Sequence, residues 1–250
     1  MKKIKNDFLR RIGGSKRVKG ALAIIAVLTF ISPVVFAGYS RLSSIVDHYL
    51  ETKNAKRADS DFKDAYSKWE KSHESISPYK ELEGPLNAIT ETNSKVNTCL
   101  DNRDYVGIGA LVTSQDTNIA EADAGTNRLL KQIKDESNLI HILDEKSQQL
   151  VGKKYSIATK LCGFVRDENL LNKEMCDITL EYLSIEKRMD SLLKDFVSGQ
   201  HDANMTAVLV YDLVDEKDKI FEKRGETEKE LTRKSAQLKD EWQKLKALLE

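Results

Sequence analysis

Residues 154–197 read KYSIATKLCGFVRDENLLNKEMCDITLEYLSIEKRMDSLLKDFV, and their apolar spacing decides the fold. Ile157, Leu161, Phe164, Leu171, Met175, Ile178, Tyr182, Ile185, Met189, Leu192 and Phe196 recur in alternating steps of four and three, with Glu168 as the one polar member of the row. That is the period of a helix face and not of a strand. A neighbouring row (Ala158, Cys162, Val165, Cys176, Leu183, Leu193, Val197) widens the stripe beyond a two-stranded seam, so this helix is expected to bury against more than one partner, as in a bundle. Ser198-Gly199 marks its end.

The flanking segments carry the same period. Before it, a third helix is expected over about 105–151, with Asp104 as its N-cap, Gly107, Gly109 and Gly125 as weak points and Gly152 as its breaker. A second is expected from Gly84-Pro85 through Leu86, Ile89, Asn93, Val96 and Leu100. A first runs from Tyr39 to Ile76 on Leu42, Ile45, Val46, Tyr49, Ala55, Ala58, Phe62, Ala65, Trp69, His73 and Ile76, and Ser77-Pro78 stops it. A last helix from about Asn204 to Glu250 is apolar early and then thins to Leu231, Leu238, Trp242, Leu245 and Leu249 amid Lys and Glu. Those last positions read as a seam offered to a partner helix, or as a bundle helix emerging into solvent. With 12 Gly and 3 Pro in 250 residues, 40% hydrophobic and 32% charged, the chain is expected to be all-α, an elongated antiparallel bundle or coiled coil of four to five long helices.

The 40 basic and 40 acidic residues hide an asymmetry. Eight bases and one acid fall in residues 1–19, and 32 bases face 39 acids from Tyr39 onward. The acidic body supplies no phosphate-neutralising stripe, which argues against a nucleic-acid partner. Between the two lies Gly20–Ala37, GALAIIAVLTFISPVVFA, 18 residues without a charge. Two readings fit it. In one it is a membrane anchor opening at Gly20 and carrying Pro33. The basic flank then keeps residues 1–19 cytoplasmic, residues 39–77 form a stalk, and residues 78–250 form an extracytoplasmic domain on the far side of the inner or plasma membrane. In the other it is a signal peptide cut after Ala37, which releases the body.

Ser15-Lys16-Arg17-Val18-Lys19-Gly20-Ala21-Leu22-Ala23-Ile24-Ile25, with Pro33 partway along the apolar run, resembles the opening of the Flp pilus-assembly TadE/TadG-like proteins. Ser40-Arg41-Leu42 is similar to that family's Gly-Arg-Leu, and Asn54-Ala55 with Ala58-Asp59 to its Gln-Asn-Ala-Ala-Asp. The likeness covers about residues 15–60. Ile25 stands where many pilin-like segments carry a glutamate, and Gly38-Tyr39 where the family has an acid. The resemblance implies a membrane-anchored component of an envelope assembly whose partners are the bilayer and other protein helices.

No catalytic arrangement emerges, so enzyme activity, a cofactor and a metal are not expected. His48, His73, His141 and His201 are scattered, with no helical pair and no Cys at zinc-ligand spacing; His73 falls on an apolar face and reads as a packing residue. Gly107-Ile108-Gly109 lacks the third Gly and preceding strand of a nucleotide cradle. Asp135-Glu136 and Asp144-Glu145 read as solvated helix faces. Phe62, Trp69, Phe164, Tyr182, Phe196 and Trp242 read as core rather than as a ligand groove. Cys162 and Cys176 have two readings: buried thiols on one straight helix, or a disulfide across a hairpin bent at residues 166–169.

Overall fold

The computed structural model describes residues 48–74, 76 and 78–250, and every long element in it is a helix. They are α1 (48–74), α2 (Pro78–Asn102), α3 (Tyr105–Ser147), α4 (Gly152–Val197) and α5 (Ala203–Leu249). The chain divides into two compact units after Arg57. Of the first, residues 48–57 are described; they are helical and largely exposed. The second, Ala58–Glu250, is an up-and-down bundle in which α1 and α2 together make the first rod and α3, α4 and α5 the other three. At 43, 46 and 47 residues, α3, α4 and α5 are each about 65–70 Å long. Gly20 and Pro33, and the membrane segment read around them, lie outside the described residues.

Four apolar clusters follow one another along the bundle. At one end Phe62, Tyr66 and Trp69 of α1 pack with Leu143, Leu161, Val165, Leu238 and Leu245. Leu82, Leu129, Ile133 and Cys176 come next, then Ile89, Ile119, Ala122 and Leu183, and finally Val96, Ile108, Val112 and Leu193. The half of the expected stalk beyond Arg57 is thus part of the core: Phe62 is fully buried, and the bundle begins about twenty residues before the expected boundary at 77/78. The alternation of four and three cannot distinguish a helix that stands alone from one that lies against neighbours.

Local chemistry explains most boundaries. α1 is described to residue 74, and Pro78 opens α2, where its missing N–H costs nothing. Pro85, expected to start a helix, lies inside α2. One backbone hydrogen bond is lost there, and burial of Leu82 and Ile89 against α3 offsets it. Asp104 caps α3 as expected, its Oδ1 accepting from Gly107 N at 2.9 Å. α3 ends at Ser147, and Gly152, with φ +59, takes the turn into α4.

The glycines of α3 are not equivalent. A Cβ on Gly107 would lie 2.3 Å from Asp104 Oδ2, whereas one on Gly109 would rest 3.7 Å from a Val197 methyl. Alanine normally gains about 1 kcal/mol over glycine inside a helix. Gly109→Ala is therefore expected to stabilise the fold by roughly 0.5–1 kcal/mol, and Gly107→Ala to destabilise it by about 1 kcal/mol through loss of the cap. Thermal unfolding of the two variants, one shifting up and the other down, checks this.

α4 is one continuous helix through residues 166–169, and Cys99, Cys162 and Cys176 are all free. The disulfide reading of Cys162 and Cys176 is thereby overturned. Fourteen residues of straight helix hold the two thiols about 21 Å apart, far beyond bonding reach. Burial, reinforced by Asp144, pushes the Cys162 thiol up to about 12, and burial with Asp177 pushes Cys176 up to about 11. Native protein treated with iodoacetamide is expected to take one adduct, at the half-buried Cys99, and the unfolded chain three, as counted by intact mass.

Candidate functional site

The first and last rods of the bundle close at one end and part at the other. At the α1 end Tyr66 stacks on Trp242 with ring centroids 3.7 Å apart, and Lys63 Nζ donates to the carbonyl of Leu249 at 2.9 Å. At the α2 end, α2 packs along α3 and α5 along α4. The space between α2 and α5 is a cavity of about 650 Å³, walled by Val96 and Leu100 of α2, floored by Met189, Leu193 and Phe196 of α4, and walled opposite by Ala207, Val210, Val214 and Phe221 of α5. The residues facing across it are small, with Ala203, Thr206 and Ala207 where the closed end carries Trp242 and Leu245. Tyr211, Val208 and Met205 leave a further apolar surface open on the same stretch of α5, at 72%, 61% and 50% exposure.

Turns on either side frame the cavity mouth. Arg103, with φ +59, takes the left-handed position after α2, its N–H donating to Leu100 and that of Asp104 to Cys99. Gly199, with φ +76, does the same after α4, where Gly199 and Gln200 donate to Phe196 and Asp195. Asp202 then caps α5, its Oδ1 accepting from Met205 N at 2.8 Å. Tyr105 meets Phe196 edge-on at 5.3 Å across the two turns.

A buried carboxylate lies beneath the inner end. Glu186 of α4 has no exposed side-chain surface. Its Oε1 accepts from Lys217 Nζ at 2.5 Å, and its Oε2 from Asn93 Nδ2 at 3.0 Å and Gln115 Nε2 at 3.3 Å. One residue from each rod thus converges on a single group, with the Lys217 ammonium also 5.1 Å from the Tyr182 ring centroid. One turn further along α4, burial pushes Asp190 up to about 7, with the Asp116 and Glu186 carboxylates adding to it against Lys194. Among the described residues, the buried Asp190 Oδ2 and Gln115 Oε1 have no hydrogen-bond partner.

A second charged layer sits between the first two apolar clusters. His73 Nδ1 is 2.9 Å from Glu136 Oε1, and its Nε2 is 3.5 Å from Glu168 Oε1. Asn169 Nδ2 donates to Glu136 at 2.9 Å, Ser235 Oγ donates to Glu168, and Trp69 stacks on the imidazole at 4.9 Å. Burial pushes the imidazole down, but the hydrogen bonds and charges of the two carboxylates outweigh it and raise His73 to about 9. The packing expected of His73 and the lone polar seam position Glu168 meet in one contact. Glu136, expected on a solvated face, is fully buried.

The outward seam on α5 is corrected. Leu238 and Leu245 are buried in the cluster built on α1, Trp242 is packed against it, and Leu231 is half-buried. The open surface of α5 is its early half. Of the six aromatics read as core, Phe196 lines the cavity instead. Gly107 and Gly109 lie within α3 and form no cradle. His48 and His141 are exposed and His201 is half-buried. Glu186 and Asp190 fall between Leu183 and Leu193 at helical steps of three and four, and acids on the row that Leu183 and Leu193 mark, like Asn93 on the α2 face, are the available signal.

Among the described residues no group of three or more His, Cys, Asp and Glu is placed to hold a metal, and no helix is long and apolar enough to cross a membrane. Comparison with protein-family models, curated proteins and solved structures returns no match to this chain.

Proposed function

We propose that the chain is a membrane-anchored structural component of an envelope assembly, in which the bundle is a spacer and docking body held outside the bilayer. The observation that carries this reading is Gly20–Ala37, a charge-free run directly behind eight basic residues and ahead of an acidic helical body. The bundle suits the role because two buried polar layers key the alignment of its rods, and because α5 presents a run of exposed apolar residues at Met205, Val208 and Tyr211. The resemblance of residues 15–60 to TadE/TadG-like anchors directs the proposal toward pilus-type assemblies, with other helices as partners and no catalytic step. The full-length chain is expected to stay with the membrane pellet through a carbonate wash, at its uncleaved mass. A soluble chain whose mass begins at Gly38 would overturn the anchor. The 650 Å³ cavity favours a second reading in that event, a released helical protein that binds a hydrophobic client.

A further inference from the structure

The cavity between α2 and α5 has a shape, a polarity and one charged pole that together specify a ligand class. Its volume, about 650 Å³, lies within the roughly 300–1,000 Å³ of small-molecule sites. It is long: its α5 wall alone runs from Ala203 to Phe221, about 27 Å of helix. Its walls are mainly apolar, aliphatic side chains such as Val96, Leu193 and Val210 alternating with the rings of Phe196, Tyr211 and Phe221, which suits a flexible apolar chain better than a compact polar solute. The charges are unequal in availability. Lys217 is committed to Glu186 at 2.5 Å, and Asp218 beside it makes the inner end unfavourable for an anion. Arg103 stands at the mouth, exposed, with no ion-pair partner among the described residues. Asp218 lies fifteen residues into α5, about 22 Å from the end of α5 nearest that mouth.

We propose that this cavity binds a single-chain amphiphile with an anionic head, the tail lying along Val96, Leu193, Val210 and Val214 and the head at Arg103. Tail burial supplies most of the affinity, since each buried methylene contributes about 0.8 kcal/mol. Arg103 sets the direction of entry, because a guanidinium accepts carboxylate or phosphate in a bidentate pair. The site does not depend on whether the chain is anchored or released.

The test uses the full chain in phosphatidylcholine vesicles and a long-chain fatty acid carrying a mid-chain diazirine. Parallel arms use a lysophosphatidic acid and a neutral fatty alcohol bearing the same group. After irradiation, adducts are mapped by peptide mass. The expected result is saturable labelling of peptides from 189–221, displaced by unlabelled fatty acid or lysophosphatidic acid. Whichever of the two labels more strongly identifies the head as carboxylate or phosphate. Arg103→Glu is expected to lower labelling by the acids about tenfold and leave the alcohol nearly unchanged. Ala207→Trp, which fills the cavity from an exposed position, is expected to abolish labelling by all three while circular dichroism stays unchanged. Non-saturable labelling, equal labelling by acid and alcohol that ignores Arg103→Glu, or labelling that survives Ala207→Trp would each overturn the proposal. So would finding 189–221 shielded by a crosslinked partner helix while the amphiphiles fail to label it.

Discussion

His73→Leu is expected to destabilise the bundle by about 3–5 kcal/mol near pH 7, because it leaves Glu136 and Glu168 buried without their cation. Both carboxylates are largely withdrawn from water: Glu136 is fully buried, and the side chain of Glu168 is 7% exposed. The imidazole also imposes a pH dependence whose sign is fixed. His73 is raised from 6.5 in the unfolded chain to about 9 in the fold, so its contribution is complete below pH 6.5 and fades as pH climbs through 9. The shift corresponds to about 3 kcal/mol lost across that interval. Urea unfolding followed through Trp69, which stacks on the imidazole, should show the wild-type midpoint falling between pH 6.5 and 9.5. The gap to His73→Leu should narrow over the same range. A flat wild-type profile, or a gap independent of pH, would show that the imidazole is neutral in the fold.

The other large effect belongs to Glu186. Glu186→Ala is expected to cost about 3–5 kcal/mol, since it strands the Lys217 ammonium, whose side chain is only 17% exposed, and frees Asn93 and Gln115 from their shared acceptor. Replacing both partners is a different experiment. Glu186→Leu with Lys217→Met removes the two charges together, and an apolar pair of similar volume is expected to restore most of the loss. The double-mutant cycle should therefore return a coupling of about 1.5 kcal/mol or more. Additive costs in that cycle would mean that the two groups contribute independently and that the short contact contributes no net energy.

The helical period of residues 157–196 identifies α4 to within a few residues, because its apolar rows pack against α3 on one side and α5 on the other along the whole length. Gly199 and Asp104 were equally legible, since a left-handed turn and an N-cap each demand particular chemistry. Pro85 misled because proline is compatible with helical φ and loses only one donor, a cost that neighbouring Leu82 and Ile89 can absorb. On α5 the sequence offers Leu238, Trp242 and Leu245 as a seam for a partner, and Tyr66 and its neighbours within the same chain close it. The apolar early half carries the open surface instead, with Met205, Val208 and Tyr211 exposed. Spacing along one helix reveals that a face will be covered, but not by what. The buried charges show the same limit. Glu168 stood out because it interrupts an apolar row, but its partners come from α1 and α5, 95 and 67 residues away.

Glu168 and Glu186 lie eighteen residues apart on α4, and their partners on α5, Ser235 and Lys217, are also eighteen apart in the opposite direction. Eighteen residues are five full helical turns, so both acids project along one line and both are met in a single alignment of the two rods. Leucine rows are nearly periodic, and sliding one past another by a turn finds similar contacts again. Two carboxylates at this interval act as a vernier: any such slip unseats both at once. The rods are fastened by hydrocarbon, but where each stops relative to the next is read from these two notches.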